Sequence, residues 1–114
     1  MEVLSGKDAN PSIPDMTPAT QYSHTKHIQK NASYAGMSME QYVEKSGKLA
    51  RSAVGGDILG YKADDGAIVR YDRAANDWVR AYSTGVASMY KPKGGKAYYI
   101  KTKERDTRRA RDSK

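Results

Sequence analysis

The chain has 114 residues and a formal net charge of +7, with 20 Lys and Arg against 13 Asp and Glu, a length that holds one domain around a small core. It contains no cysteine, which excludes disulfides, thiolate zinc sites and a cysteine nucleophile. No apolar run reaches the ~18 residues of a spanning helix, and residues 1–20 lack the charged-then-apolar layout of a signal peptide.

Residues 1–20, MEVLSGKDANPSIPDMTPAT, hold three of the four prolines and show no period of 2 or 3.6, so an irregular arm is expected there. From Gln21 to about Lys48 the pattern is helical. Ile28, Ala32 and Ala35 suit one face of a first helix that Gly36 ends. Ser38 with Gln41 three residues on reads as a capping box opening a second helix, which carries Tyr42 and Val43 inward. After Asp57 the texture changes to short β-rich runs separated by turn signals: DILGYKA, a DG turn at Asp65 and Gly66, AIVRYD, a turn over 74–77, WVRAYS, a turn at Gly85, VASMY, a KPKGGK loop and AYYIKT. That spacing predicts an antiparallel meander of four to five strands. Helices first and strands afterwards predict an α+β fold, the helices packed on one face of a twisted sheet. The last residues, ERDTRRARDSK, are so charged that a fraying helix or solvated tail is expected. The expected division is an arm over 1–20, a domain over 21–101 and a basic tail over 102–114.

Alternation sorts the strand residues into faces. Ala67, Val69 and Tyr71 share one side and Ile68, Arg70 and Asp72 the other; Trp78, Arg80 and Tyr82 lie together, as do Val86, Ser88 and Tyr90. One face of such a sheet is expected to be covered and one available, the available face being rich in Arg, Ser, Tyr and Trp. The charge is polarised as well: residues 91–114 carry ten basic and three acidic groups, which favours a polyanion or an acidic protein as partner. No stretch has the length and amphipathicity of an interfacial anchor, so no membrane anchoring is expected.

The two histidines of the chain, His24 and His27, stand among Lys26 and Lys30. A metal pair lacks third and fourth ligands, and the lysines repel a cation. Two imidazoles one turn apart project to the same side, which suits poorly an acid and a base acting on opposite sides of one phosphate. One histidine paired with groups from the sheet is a competent proton carrier near neutral pH. Ordinary surface is the bland alternative.

The string SHTKHIQKNASYAGMSMEQYVEKSGKLA, followed by ADDGAIVRYDRAANDWVRAYSTGVASMYKPKGGKAYY, resembles the toxin C-termini of contact-dependent inhibition and related polymorphic systems, in the superfamily that groups barnase, EndoU, colicin and RelE ribonucleases. The resemblance spans about residues 22–101, through a Lys-His helix start, a Tyr-containing second helix, a DG hairpin leading to V-R-Y-D, and a G-x-x-(S/T)-x-Y-K-P close. It implies an endoribonuclease that needs no metal or other cofactor, favours tRNA and cuts through the ribose 2′-OH. It further implies an acidic cognate immunity protein, a host translation factor as a candidate partner, and delivery from a secreted effector into a target-cell cytoplasm. Carried over by position, His27 resembles the catalytic histidine, Arg70 the phosphate-binding arginine and Ser88 the hydroxyl that is often Thr, while Tyr90 and Lys91 match the aromatic-basic step before Pro92. Asn31 stands where several relatives have a second histidine.

Metal-free RNA cleavage needs a base for the 2′-OH, an acid for the leaving oxygen and positive groups for the phosphorane. The residues themselves supply candidates: His27 for a proton transfer, Arg70 and Lys91 for charge stabilisation, Ser88 or Tyr90 for orienting the phosphate. Lys26, His24 and Trp78 are candidates for RNA contact. Each has a plain counterpart: Arg70 in a surface pair with Asp72, Trp78 in the core, the basic tail merely solvated. From other function classes, the rivals are a non-catalytic nucleic-acid-binding module and a structural phage or secretion-system component.

Overall fold

A computed structural model describes residues 11–30, 34 and 36–112, with side chains described outside 25–30 and 108–112. The chain folds as α+β, in the order α1 (Pro18–Lys30), α2 (Met39–Ala50), β1 (Ile58–Lys62), β2 (Ile68–Asp72), β3 (Asp77–Tyr82), β4 (Gly85–Tyr90) and α3 (Lys96–Asp112). The four strands form one antiparallel meander in sequence order. Among the described residues no helix is long and apolar enough to cross a membrane.

Local sequence starts and stops these elements. The capping box at α2 is complete: Gln41 N donates to Ser38 Oγ at 3.1 Å and Ser38 N donates to Gln41 Oε1 at 2.9 Å. Gly66 closes the β1–β2 turn at φ 91°, a region that favours glycine, while Ala67 N donates to Asp65 Oδ1 at 3.0 Å. Of the expected arm, residues 1–10 lie outside the described residues, and residues 11–17 are irregular but not idle. Ile13 and Met16 are buried in the core, and Arg51 at the end of α2 holds this stretch through Ile13 O at 3.0 Å and Asp15 Oδ1 at 2.9 Å. Ala32 and Ala35 of the predicted first-helix face, and the side chain of Ile28, lie outside the described residues.

Both faces of the sheet are covered, which corrects the expectation of one open face. On one side Val79, Ala81, Val86 and Met89 pack with Tyr34, Tyr42, Leu49 and Ala50 under α2. On the other Tyr61, Val69, Tyr71 and Trp78 pack with Tyr99 of α3. The covering element is the segment where alternation predicted a fifth strand over 97–102 and charge predicted a fraying helix or a solvated tail from Glu104 on. It is one helix of 17 residues, which corrects the strand and agrees with the helical alternative. Its buried residues Tyr99, Thr102 and Asp106 recur at i, i+3 and i+7, so helical burial overrides the β preference of the Tyr-Tyr-Ile run.

A second correction lies in β4. The register pairs Arg80 with Ser88 but Ala81 with Val86, which leaves Ala87 as a bulge. A bulge shifts the side-chain alternation by one residue. Val86 therefore joins the α2-side core, while Ser88 and Tyr90 stay opposite Arg80 and Trp78 on the α3 side.

Candidate functional site

β4 is an edge strand, and unpaired backbone groups along such an edge need partners. Two helix side chains supply them. The Tyr42 hydroxyl donates to Met89 O and accepts from Met89 N at 3.2 Å. His24 places Nε2 3.1 Å from the carbonyl of the bulged Ala87. A carbonyl only accepts, so Nε2 carries the hydrogen and, in the neutral ring, Nδ1 is the proton-accepting nitrogen. The His24 and Tyr42 rings lie 5.7 Å apart at 44°. Burial pushes the Tyr42 hydroxyl up to about 12, the Met89 backbone pulling the other way.

The contacts continue from Tyr42 to Tyr34, edge-on at 5.3 Å, and from there to a buried carboxylate. Asp77, 2% exposed, accepts on Oδ1 from the Tyr34 hydroxyl at 2.9 Å and from Lys91 Nζ at 2.8 Å. Lys45 Nζ of α2 sits 3.3 Å from its other oxygen. Lys91 also donates to Ala75 O at 2.8 Å and lies 5.3 Å over the Tyr34 ring. Burial first, and then the Asp77 charge, pushes the Tyr34 hydroxyl far above the usual tyrosine range. Two ammonium groups around one carboxylate leave a net positive charge. Because the lysine side chains are 28% and 41% exposed and the carboxylate is buried, that excess faces solvent.

Of the remaining sequence candidates, those whose side chains are described are not gathered here. Lys26 and His27 fall within α1, and their side chains lie outside the described residues. Arg70 is on the α2 side and only 4% exposed. Its Nε donates to Ser52 O at 2.9 Å and one terminal nitrogen to Val69 O at 2.9 Å. The guanidinium passes over Gly60, where an added Cβ would collide with it, so the glycine is the space that Arg70 occupies. Ser88 and Tyr90 are on the opposite face from Arg70, by register. Trp78 is 2% exposed, stacked on Tyr90 at 5.0 Å, and its Nε1 has no hydrogen-bond partner among the described residues.

Sequence reading placed Tyr42 inward but gave it no role in a site, and it missed Tyr34, Lys45 and Asp77. Part of this was legible: once Trp78 pairs with Tyr90, antiparallel geometry places Asp77 beside Lys91. The tyrosines carry no local signal, since their hydroxyls meet Asp77 and Met89 across 43 and 47 residues of chain. No protein-family model matches the chain, and comparison with curated proteins finds no match.

Proposed function

We propose that the protein is a metal-independent endoribonuclease toxin domain, with tRNA as favoured substrate and an acidic immunity protein as its inhibitor. One observation carries this reading. A histidine of α1 and a lysine at the end of β4 are joined by consecutive tyrosine contacts along one flank, beside a solvent-facing excess of positive charge. Proton carrier and phosphate-attracting cations thus share one side of the molecule. His27 follows His24 by one turn on the same helix and is the second imidazole of the proposal.

In the proposed reaction one imidazole takes the proton of a ribose 2′-OH and the 2′ oxygen attacks the adjacent phosphorus. The bond from phosphorus to the 5′ oxygen breaks, and that oxygen takes up a proton relayed through water from the imidazolium just formed, which returns the ring to its neutral form. The products are a 2′,3′-cyclic phosphate and a 5′-hydroxyl end. Lys91 and Lys45 offset the charge that builds on the phosphorane. The same lysines attract acidic side chains, which is how an immunity protein would cover the flank.

The test is incubation of purified protein with total tRNA in EDTA, with the ends of any fragments identified. Discrete fragments carrying cyclic-phosphate ends, lost in His27→Ala and His24→Ala while a gel shift persists, are expected. Intact RNA that is bound by the native chain would overturn the enzyme reading in favour of a binding module.

A further inference from the structure

The flank just described lies on the α2 side of β4; the other side of the same edge strand carries a different set of groups. There α3 covers β1 to β3 through Tyr99 and Asp106, which reach Tyr61, Tyr71 and Arg80. The β4 residues on this side, Ser88 and Tyr90, remain only half-buried, as do Tyr82 and Tyr98. The rings are held in place. Tyr90 stacks on the buried Trp78 at 27°, Tyr98 meets the Trp78 ring edge-on at 5.8 Å, and the Tyr90 and Tyr98 hydroxyls are hydrogen-bonded to each other. A fixed aromatic platform loses little rotamer freedom when a flat partner lands on it.

Charge completes the strip. Tyr98, Lys101 and Arg105 stand at i, i+3 and i+7 of α3, which places them along one flank of the helix, and the Tyr98 contact with Trp78 and Tyr90 shows that this flank faces β4. Lys101 and Arg105 are exposed. Over residues 91–107 the exposed charges are Lys93, Lys96, Lys101, Lys103 and Arg105 against Glu104 alone, while Asp106 is buried beneath the helix.

We propose that this strip between α3 and β4, formed by Tyr82, Ser88, Tyr90, Tyr98, Lys101 and Arg105, docks single-stranded RNA. Half-exposed rings offer π-faces to unpaired bases, and the helix flank offers cations to the phosphates. A duplex hides its base faces and gains only the charge. The inference rests on the ribonuclease reading for its choice of ligand, and it extends that reading by making the substrate a strand that crosses the β4 edge, stacked on one side and cut on the other.

The probe is a short unstructured 2′-O-methyl oligoribonucleotide, which lacks the attacking hydroxyl and so reports docking without cleavage. Its affinity is measured by fluorescence anisotropy at two salt concentrations for the native chain, Tyr98→Ala, Lys101→Glu and, on the other flank of α3, Lys103→Glu. Loss of one base stack is expected to weaken binding about 5- to 150-fold in Tyr98→Ala; Lys101→Glu is expected to weaken it more than Lys103→Glu. Cross-links from a 4-thiouridine-containing oligomer to the native chain are expected at Tyr90 or Tyr98, which keeps the test independent of how the variants fold. Equal losses in Lys101→Glu and Lys103→Glu, duplex bound as well as single strand, or cross-links confined to other surfaces would overturn the strip. If tRNA is cut in EDTA but the oligomer ignores these residues, the strip fails and the ribonuclease stands; if the oligomer docks at the strip and tRNA is left intact, the strip stands and the ribonuclease fails.

Discussion

Helices cover both faces of the sheet by opposite means, and on the α3 side β4 stays half-covered. Under α2 the contact is aliphatic, with Val79, Ala81, Val86 and Met89 buried against Leu49, Ala50 and two tyrosines. Under α3 it is aromatic and ionic. Asp106 accepts from Tyr61 at 2.6 Å and from Arg80 and Arg105 at 3.1 Å each, and Arg80 reaches on to Asp65 and Tyr82. A helix as charged as α3 has few apolar side chains to bury, so it is fastened by directional bonds around Tyr99. Apolar packing is indifferent to pH and hydrogen-bonded ionisable groups are not, so the two faces should answer to pH through different groups, the α3 side through Asp106 and the α2 side through Tyr42.

The largest effect is expected on the aliphatic side. Met89→Ala removes a buried side chain, 2% exposed, and should cost about 2–5 kcal/mol in urea unfolding. Next is Arg70→Ala. It removes the side-chain donor to the Ser52 carbonyl and empties the space over Gly60, an expected loss of about 1–3 kcal/mol. Its effect on the proposed RNA cleavage should not exceed what partial unfolding explains, whereas the phosphate-binding role expected from the sequence would put the larger loss on activity. Comparing cleavage with unfolding curves for that variant decides between the two roles.

Titration sharpens the contrast further. Burial works to raise the Asp106 carboxyl, but Tyr61, Arg105 and Arg80 outweigh it and hold the group below the usual carboxylate range. A lowered folded value means stability that is present above the ordinary value near ~3.9 and lost as pH falls through the folded one. Thermal midpoints should therefore fall at acid pH in the native chain and less steeply in Asp106→Asn. At the alkaline end the sign reverses. Tyr42, raised to about 12, contributes stability below its ordinary ~10 that is lost as pH rises toward that higher value, and Tyr42→Phe should remove its share. The smallest effect belongs to neither face. Arg73 and Asp57 pair at 2.9 Å with side chains 47% and 56% exposed, so Arg73→Ala should shift stability by less than about 1 kcal/mol.

What the sequence by itself determined was everything governed by neighbours in the chain. Ser38 and Gln41 cap α2, Asp65 and Gly66 turn β1 into β2, and the apolar-polar alternation draws the first three strands, because capping and turn formation involve groups only a few bonds apart. The site was legible in fragments: His24 and Lys91 stood out by residue type and spacing, and Asp77 follows from the β3–β4 register. Tertiary structure decided the rest. Whether Ala97–Thr102 becomes strand or helix depends on what its rings can cover, and the sheet offered a face that only a helix could span. The Ala87 bulge, which sends Val86 to one core and Ser88 to the other side, has no composition signal. Nor does Arg70 announce that its charge will be spent on two carbonyls over a glycine. These outcomes come from side chains meeting across long loops, and a linear pattern does not record which long-range contact fills which space.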